Sequence, residues 1–129
     1  MTPDGRRPLV AGNWKMHGRA GTTAAYVERL LESLGDDAAV EVAVCVPFTA
    51  LATAVEAARG SQLLVAAQNM HQEDEGAYTG EVSPAMLVET GVGGVVLGHS
   101  ERRLQQGETD RALADKVPAA LAAGLLPIL

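Results

Sequence analysis

At 129 residues, 47% hydrophobic and 20% charged, the chain has the make-up of one globular domain and not of a fibrous or disordered polymer. Its formal net charge of -6 argues against nucleic acid or an anionic membrane as partner, because neutralising phosphates takes clustered Lys and Arg. No apolar run approaches the roughly 18 residues that span a bilayer, and residues 1–8 carry arginines with no apolar segment behind them. The expected location is therefore the cytoplasm, and a small-molecule ligand stays open.

Leu9 to Ala11 reads as the first strand. A helix follows, with Val27, Leu30, Leu31 and Leu34 at i, i+3, i+4 and i+7 and Gly35 placed to stop it. Glu41 to Val46 is the second strand, broken by Pro47, and the lone Cys45 between Val44 and Val46 is expected to be a buried thiol. Thr49 is a candidate cap for a helix marked by Leu51, Val55 and Ala58 and ended by Gly60. Leu63 to Ala67 makes a third strand. The polar stretch Gln68 to Glu81 follows, in which Glu73, Asp74 and Glu75 are expected on a solvated face and His71, like His17, in a loop.

Ser83-Pro84 opens the next helix with a capping hydroxyl and a first-turn proline, and Gly91 ends it. Gly94 to Leu97 is the fourth strand. Leu113, Val117 and Leu121 mark a helix stopped by Gly124, with Pro118 inside it expected to cause a kink. Leu125 to Leu129 is the fifth strand. Strand starts lie about 20 to 33 residues apart, which suits βα units building a parallel sheet. An open doubly wound sheet and part of an eight-stranded barrel both fit; no GxGxxG or P-loop pattern follows any strand, which disfavours a nucleotide site.

In such folds the working residues lie just past the carboxyl ends of strands. After the first strand, Gly12-Asn13-Trp14-Lys15 offers an amide and an ammonium that could meet an anionic ligand, or else a turn-favouring Asn and a solvated Lys. After the fourth, Gly98-His99-Ser100-Glu101-Arg102-Arg103 places a histidine where a helix begins. A histidine held neutral there could donate N–H to a carbonyl oxygen and stabilise charge developing on it. It could equally be half-buried and satisfied by backbone. Ser83 and Ser100 have no nucleophile-elbow glycines and read as caps, and no His and carboxylate spacing matches a zinc or calcium site, so neither metal nor cofactor is expected.

Three segments in order, Ala11-Gly12-Asn13-Trp14-Lys15-Met16, Gln68-Asn69 through Gly76-Ala77-Tyr78-Thr79-Gly80-Glu81, and Gly98-His99-Ser100-Glu101-Arg102-Arg103, resemble the triosephosphate isomerase family. The resemblance runs over essentially the whole chain and implies an α/β fold of the (β/α)8 TIM-barrel type. Here that means about four βα units plus a fifth strand: a single partial domain, 1–129, forming the N-terminal half of the barrel. It also implies interconversion of dihydroxyacetone phosphate and D-glyceraldehyde 3-phosphate, with Asn13, Trp14 and Lys15 binding substrate. His99 would be the electrophile, and Glu101 a buried carboxylate that organises the site beside Lys15.

The loop of Gly76, Tyr78 and Thr79 resembles the one that enters a neighbouring subunit, implying a homodimer, and His17 stands where the family more often has Asn. The family's glutamate base and lid belong after the sixth strand, so the resemblance implies that this chain by itself lacks the base; a half barrel also has two open sheet edges, and the chain alone is expected to be inactive and aggregation-prone or molten. Two alternatives are a half-barrel that pairs with a separate C-terminal half and a non-catalytic interaction module built on the Thr79 loop.

Overall fold

A computed structural model describes residues 4–36 and 39–129; part of the segment read as carrying no secretory signal, residues 1–3, lies outside the described residues. All five expected strands form, as β1 (Leu9–Asn13), β2 (Glu41–Cys45), β3 (Leu64–Ala67), β4 (Gly94–Val96) and β5 (Leu126–Ile128). They are parallel and paired in the order β1-β2-β3-β4-β5. A doubly wound sheet must reverse its strand order at a switch point, and this one never does; the order is that of half a (β/α)8 barrel.

The helices are α1 (Ala20–Leu34), α2 (Leu51–Ala58), α3 (Pro84–Thr90), α4 (Ser100–Gln106) and α5 (Asp110–Ala122). Helix α3 shows how local chemistry sets the bounds. The Ser83 hydroxyl accepts from Met86 N at 3.2 Å, Pro84 needs no partner in the first turn, and Gly91 closes the helix at φ +93°.

Several local expectations are corrected. Thr49 does not cap α2; it lies in a 3₁₀ turn, Phe48–Ala50, that follows Pro47 and leads directly into the helix. Ser100 is the first residue of α4, and the cap is His99, whose Nδ1 accepts from Glu101 N. Thr109, which drew no attention in the sequence, caps α5 through Ala112 N at 3.2 Å. Leu121 is 60% exposed because steps of four residues drift about 40° around a helix each time, carrying it off the face that buries Leu113 and Ala120. Pro118, expected to kink α5, lies inside a helix that runs on from Asp110 to Ala122. Pro118 has no N–H for the Ala114 carbonyl, and both residues are exposed, where water can reach that carbonyl.

Alternation along the strands separates two faces. Val44, Val46, Val65, Ala67, Val95 and Leu97 pack with Val27, Leu51, Leu87 and Leu113 from the helices. Cys45, Ala66, Val96 and Ile128 cluster on the other face. As expected Cys45 is fully buried, and burial pushes its thiol pKa up. Leu87, 1% exposed, anchors α3 to this core. Truncating it to alanine removes burial and leaves a cavity, together costing about 2–5 kcal/mol.

Candidate active site

β1 runs two residues beyond its expected end. Asn13 pairs with Cys45, and Trp14 N–H continues the ladder by donating to Cys45 O at 3.0 Å. Asn13 is thus a strand residue, not a loop residue. Lys15 comes next with φ +55°, the sole non-glycine residue at positive φ among those described. Such a backbone costs on the order of 1–3 kcal/mol and persists where its surroundings hold it. The holding groups are visible. Lys15 N–H donates to Asn13 Oδ1 at 2.8 Å, and Lys15 O accepts from Gln68 Nε2 at 2.8 Å.

The turn brings the Lys15 ammonium to Glu101 in the first turn of α4, with Nζ 2.6 Å from Oε1. That hydrogen bond, with the lysine's charge, holds the Glu101 carboxyl below the ordinary carboxylate value against a smaller opposing effect of burial. Glu101 is not the buried group the resemblance implied. Its side chain is 41% exposed and lines an open cavity.

His99 leads into α4 with its side chain 28% exposed. Its Nδ1 lies 3.3 Å from Glu101 N and also 3.3 Å from Glu101 Oε2. The backbone N–H can only donate, so where Nδ1 accepts from it a neutral imidazole carries its proton on Nε2.

Behind His99 lies a buried cluster. Glu108 Oε1 accepts from Gly98 N at 3.0 Å, and Oε2 meets Lys116 Nζ at 2.7 Å and Arg102 Nε at 3.3 Å. Lys116 also donates to Asn69 Oδ1 at 3.0 Å, and Arg103 Nε donates to Gly98 O at 2.9 Å. Both backbone groups of Gly98, itself at φ +68°, are therefore held by side chains, which fixes the peptide carrying His99. Burial would push Glu108 up, and it is the largest single influence; Lys116 and Arg102 together outweigh it, and the carboxyl ends below its ordinary value.

Asn13, Lys15, Gln68, Asn69, His99, Glu101 and Arg102 meet at one open cavity of about 260 Å³ past the carboxyl ends of the strands. Trp14 does not join them. Its ring turns toward α1, edge-on to Tyr26 at 4.8 Å, and its backbone N–H is already taken by Cys45 O. Gly76, Tyr78 and Thr79 lie elsewhere, on an exposed loop. There Gly76 at φ +144° leaves no room for a Cβ, which would come 2.7 Å from the Tyr78 ring, and His71 stacks on Tyr78 with centroids 4.0 Å apart. Glu73, Asp74 and Glu75 are exposed, as expected. Among the described residues no group of three or more His, Cys, Asp or Glu could hold a metal ion. Gln68, Glu108 and Lys116 escaped the sequence reading as site residues; only Gln68, just past the end of β3, lay where strand position could have drawn attention.

A family sequence profile described as triosephosphate isomerase matches residues 8–129. The chain is 54% identical over 123 residues to a triosephosphate isomerase of Carboxydothermus hydrogenoformans, covering 95% of this chain and 49% of that protein. It is 51% identical over 124 residues to one of Herpetosiphon aurantiacus, covering 96% and 50%. The crystal structure of triosephosphate isomerase from Bartonella henselae superposes with a TM-score of 0.88 at 39% identity, covering 95% of this chain and 50% of that one. The chain thus spans about half the length of the curated relatives it matches. With the barrel order of the strands, the three sequence motifs and the profile match in agreement, the chain belongs to the triosephosphate isomerase family.

Proposed function

We propose that this chain supplies the binding and electrophilic half of a site that interconverts dihydroxyacetone phosphate and D-glyceraldehyde 3-phosphate through an enediolate, the isomerisation used in glycolysis and gluconeogenesis. The observation that carries this reading is the convergence of Lys15, His99 and Glu101, from two separate βα units, on one cavity. Lys15 gives an otherwise acidic chain a cation where a phosphorylated substrate needs one. Two donors on Asn13 Oδ1, Lys15 N–H and Gln68 Nε2, fix that amide and leave its Nδ2 as the group offered to ligand. The His99 Nε2–H can donate to the substrate carbonyl oxygen as negative charge builds on it.

Enediolate formation also needs a base within hydrogen-bond reach of the carbon-bound proton. Glu101 is the sole carboxylate lining the cavity among the described residues, and it is committed to Lys15. In this reading the base and the lid come from the part of the barrel that the chain does not span, so the 129 residues alone do not turn over substrate. The complete enzyme is a homodimer joined partly through the exposed loop of Gly76, Tyr78 and Thr79, and acts in the cytoplasm. No helix among the described residues is long and apolar enough to cross a membrane.

The test joins this chain to the second half of the Carboxydothermus relative and assays isomerisation. The hybrid should be active and lose its activity with His99→Ala, and the 129-residue chain alone should match its own His99→Ala control. A folded hybrid without activity would overturn the assignment. Activity of the lone chain above its control would overturn the need for a second half.

A further inference from the structure

We propose that Gln68 is a positioning residue, whose carboxamide holds the Lys15 turn in its left-handed conformation and so aims the ammonium across the cavity. Only the kinetic part of this inference rests on the function proposed above. Gln68 follows the last residue of β3, on the same face as Ala66, whose strand neighbour is Cys45 and whose next neighbour is Asn13. Its Nε2 lies 2.8 Å from Lys15 O, 3.0 Å from Cys45 O and 3.2 Å from Asn13 Oδ1. All three partners are acceptors, so the amide has one workable orientation, with the nitrogen turned toward them.

The consequence falls on Lys15. A lysine at φ +55° returns to negative φ unless its backbone is held. Two amides hold it: Asn13 takes the N–H and Gln68 the carbonyl, and Gln68 also bonds Asn13 itself. Removing Gln68 therefore loosens both ends. The Lys15–Glu101 pair cannot substitute for this clamp. Its side chains are 52% and 41% exposed, and pairs at that exposure contribute little after solvent screening and side-chain entropy. The direction of the backbone, set by Gln68, decides where Nζ stands.

The experiment compares Gln68→Met, Gln68→Glu and the control Gln62→Met in the hybrid barrel. Gln62 is an exposed amide just before β3, at the opposite end of the sheet. NMR reads the Lys15 three-bond HN–Hα coupling with its Cα shift, and the titration midpoint of Glu101. In Gln68→Met the Lys15 values should move from left-handed to extended, and the Glu101 midpoint should rise toward the ordinary glutamate value, because Lys15 is what lowers it. In Gln68→Glu a carboxylate faces three oxygens and cannot donate; protonation restores one donor. The Lys15 shifts should therefore return toward wild type on acidification in this variant and show no such recovery in Gln68→Met.

In an active hybrid, kcat/KM should fall on the order of 10- to 100-fold for Gln68→Met, with Tm near that of the parent. Gln62→Met should change none of these readings. Unchanged Lys15 coupling and Glu101 midpoint in Gln68→Met would overturn the clamp. A parent hybrid without turnover would sink the functional reading alone, since the NMR comparison does not depend on it.

Discussion

The ammonium of Lys15, on the turn after β1, stands 2.6 Å from Oε1 of Glu101 in the first turn of α4. This contact joins the first and fourth βα units across the mouth of the half-barrel, and both partners remain in reach of solvent. It organises a charge and adds little to folding. Replacing Glu101 with Gln should leave Tm nearly unchanged and lower kcat/KM of the hybrid enzyme on the order of 10- to 100-fold, through misplacement of Lys15. Steady-state kinetics beside thermal denaturation check both halves of this expectation.

The same pair has a pH signature. Lys15 lowers the Glu101 pKa, so the ion pair should persist as pH falls through the ordinary glutamate value of 4.5 and break only below it. Titrating the Glu101 side-chain carbon by NMR should give a midpoint under that value in the parent and an ordinary one in Lys15→Met.

His99 combines two tasks that substitution can separate. It caps α4 through Nδ1 and lines the cavity, where in the proposed function its Nε2–H donates to substrate. His99→Ala should lose both, at a capping cost of about 0.5–2 kcal/mol. His99→Asn restores a capping acceptor without an imidazole, so stability should return while turnover of the hybrid stays down about 10²–10³-fold. Denaturant midpoints and kcat of the two variants, side by side, make the comparison.

Glu108 and Lys116 form a buried pair, with side chains 4% and 8% exposed. Lys116→Met leaves the buried Glu108 carboxylate with Arg102 as its remaining cation and Asn69 without its donor, and should cost about 1–3 kcal/mol, part of which the double variant with Glu108→Gln recovers. The sign of the pH effect follows from the lowered Glu108 pKa. Protonation is harder in the folded state, so this contribution is whole above the unfolded glutamate value and is lost as pH falls through the lowered folded one. Urea unfolding of the parent should therefore show an acid-side loss of stability that Glu108→Gln lacks.

Gly76 tests the exposed loop. Adding a methyl group to a backbone at φ +144°, against the Tyr78 ring, should separate the His71 and Tyr78 rings. Loss of the ring-current shift on His71 in Gly76→Ala, with the core unchanged by hydrogen exchange, is the expected result.

Local signals carried the fold. Strand alternation, the Ser83-Pro84 start and Gly91 stop of α3, and the Gly35 end of α1 all depend on near neighbours, so their physics is complete within a few residues of sequence. The same holds for the placement of Lys15 and His99 past strand ends, whereas Asn13 falls inside β1. Folding decided what links residues far apart in the chain: the inward face shared by Asn13 and Gln68, the positive φ of Lys15, the turn of Trp14 toward α1, and the burial of Lys116 against Glu108 and Asn69. A buried lysine and a solvated one look alike in sequence. Only packing removes the water around Lys116 and leaves a carboxylate and an amide in its place, and no pattern of neighbours along the chain encodes that exchange.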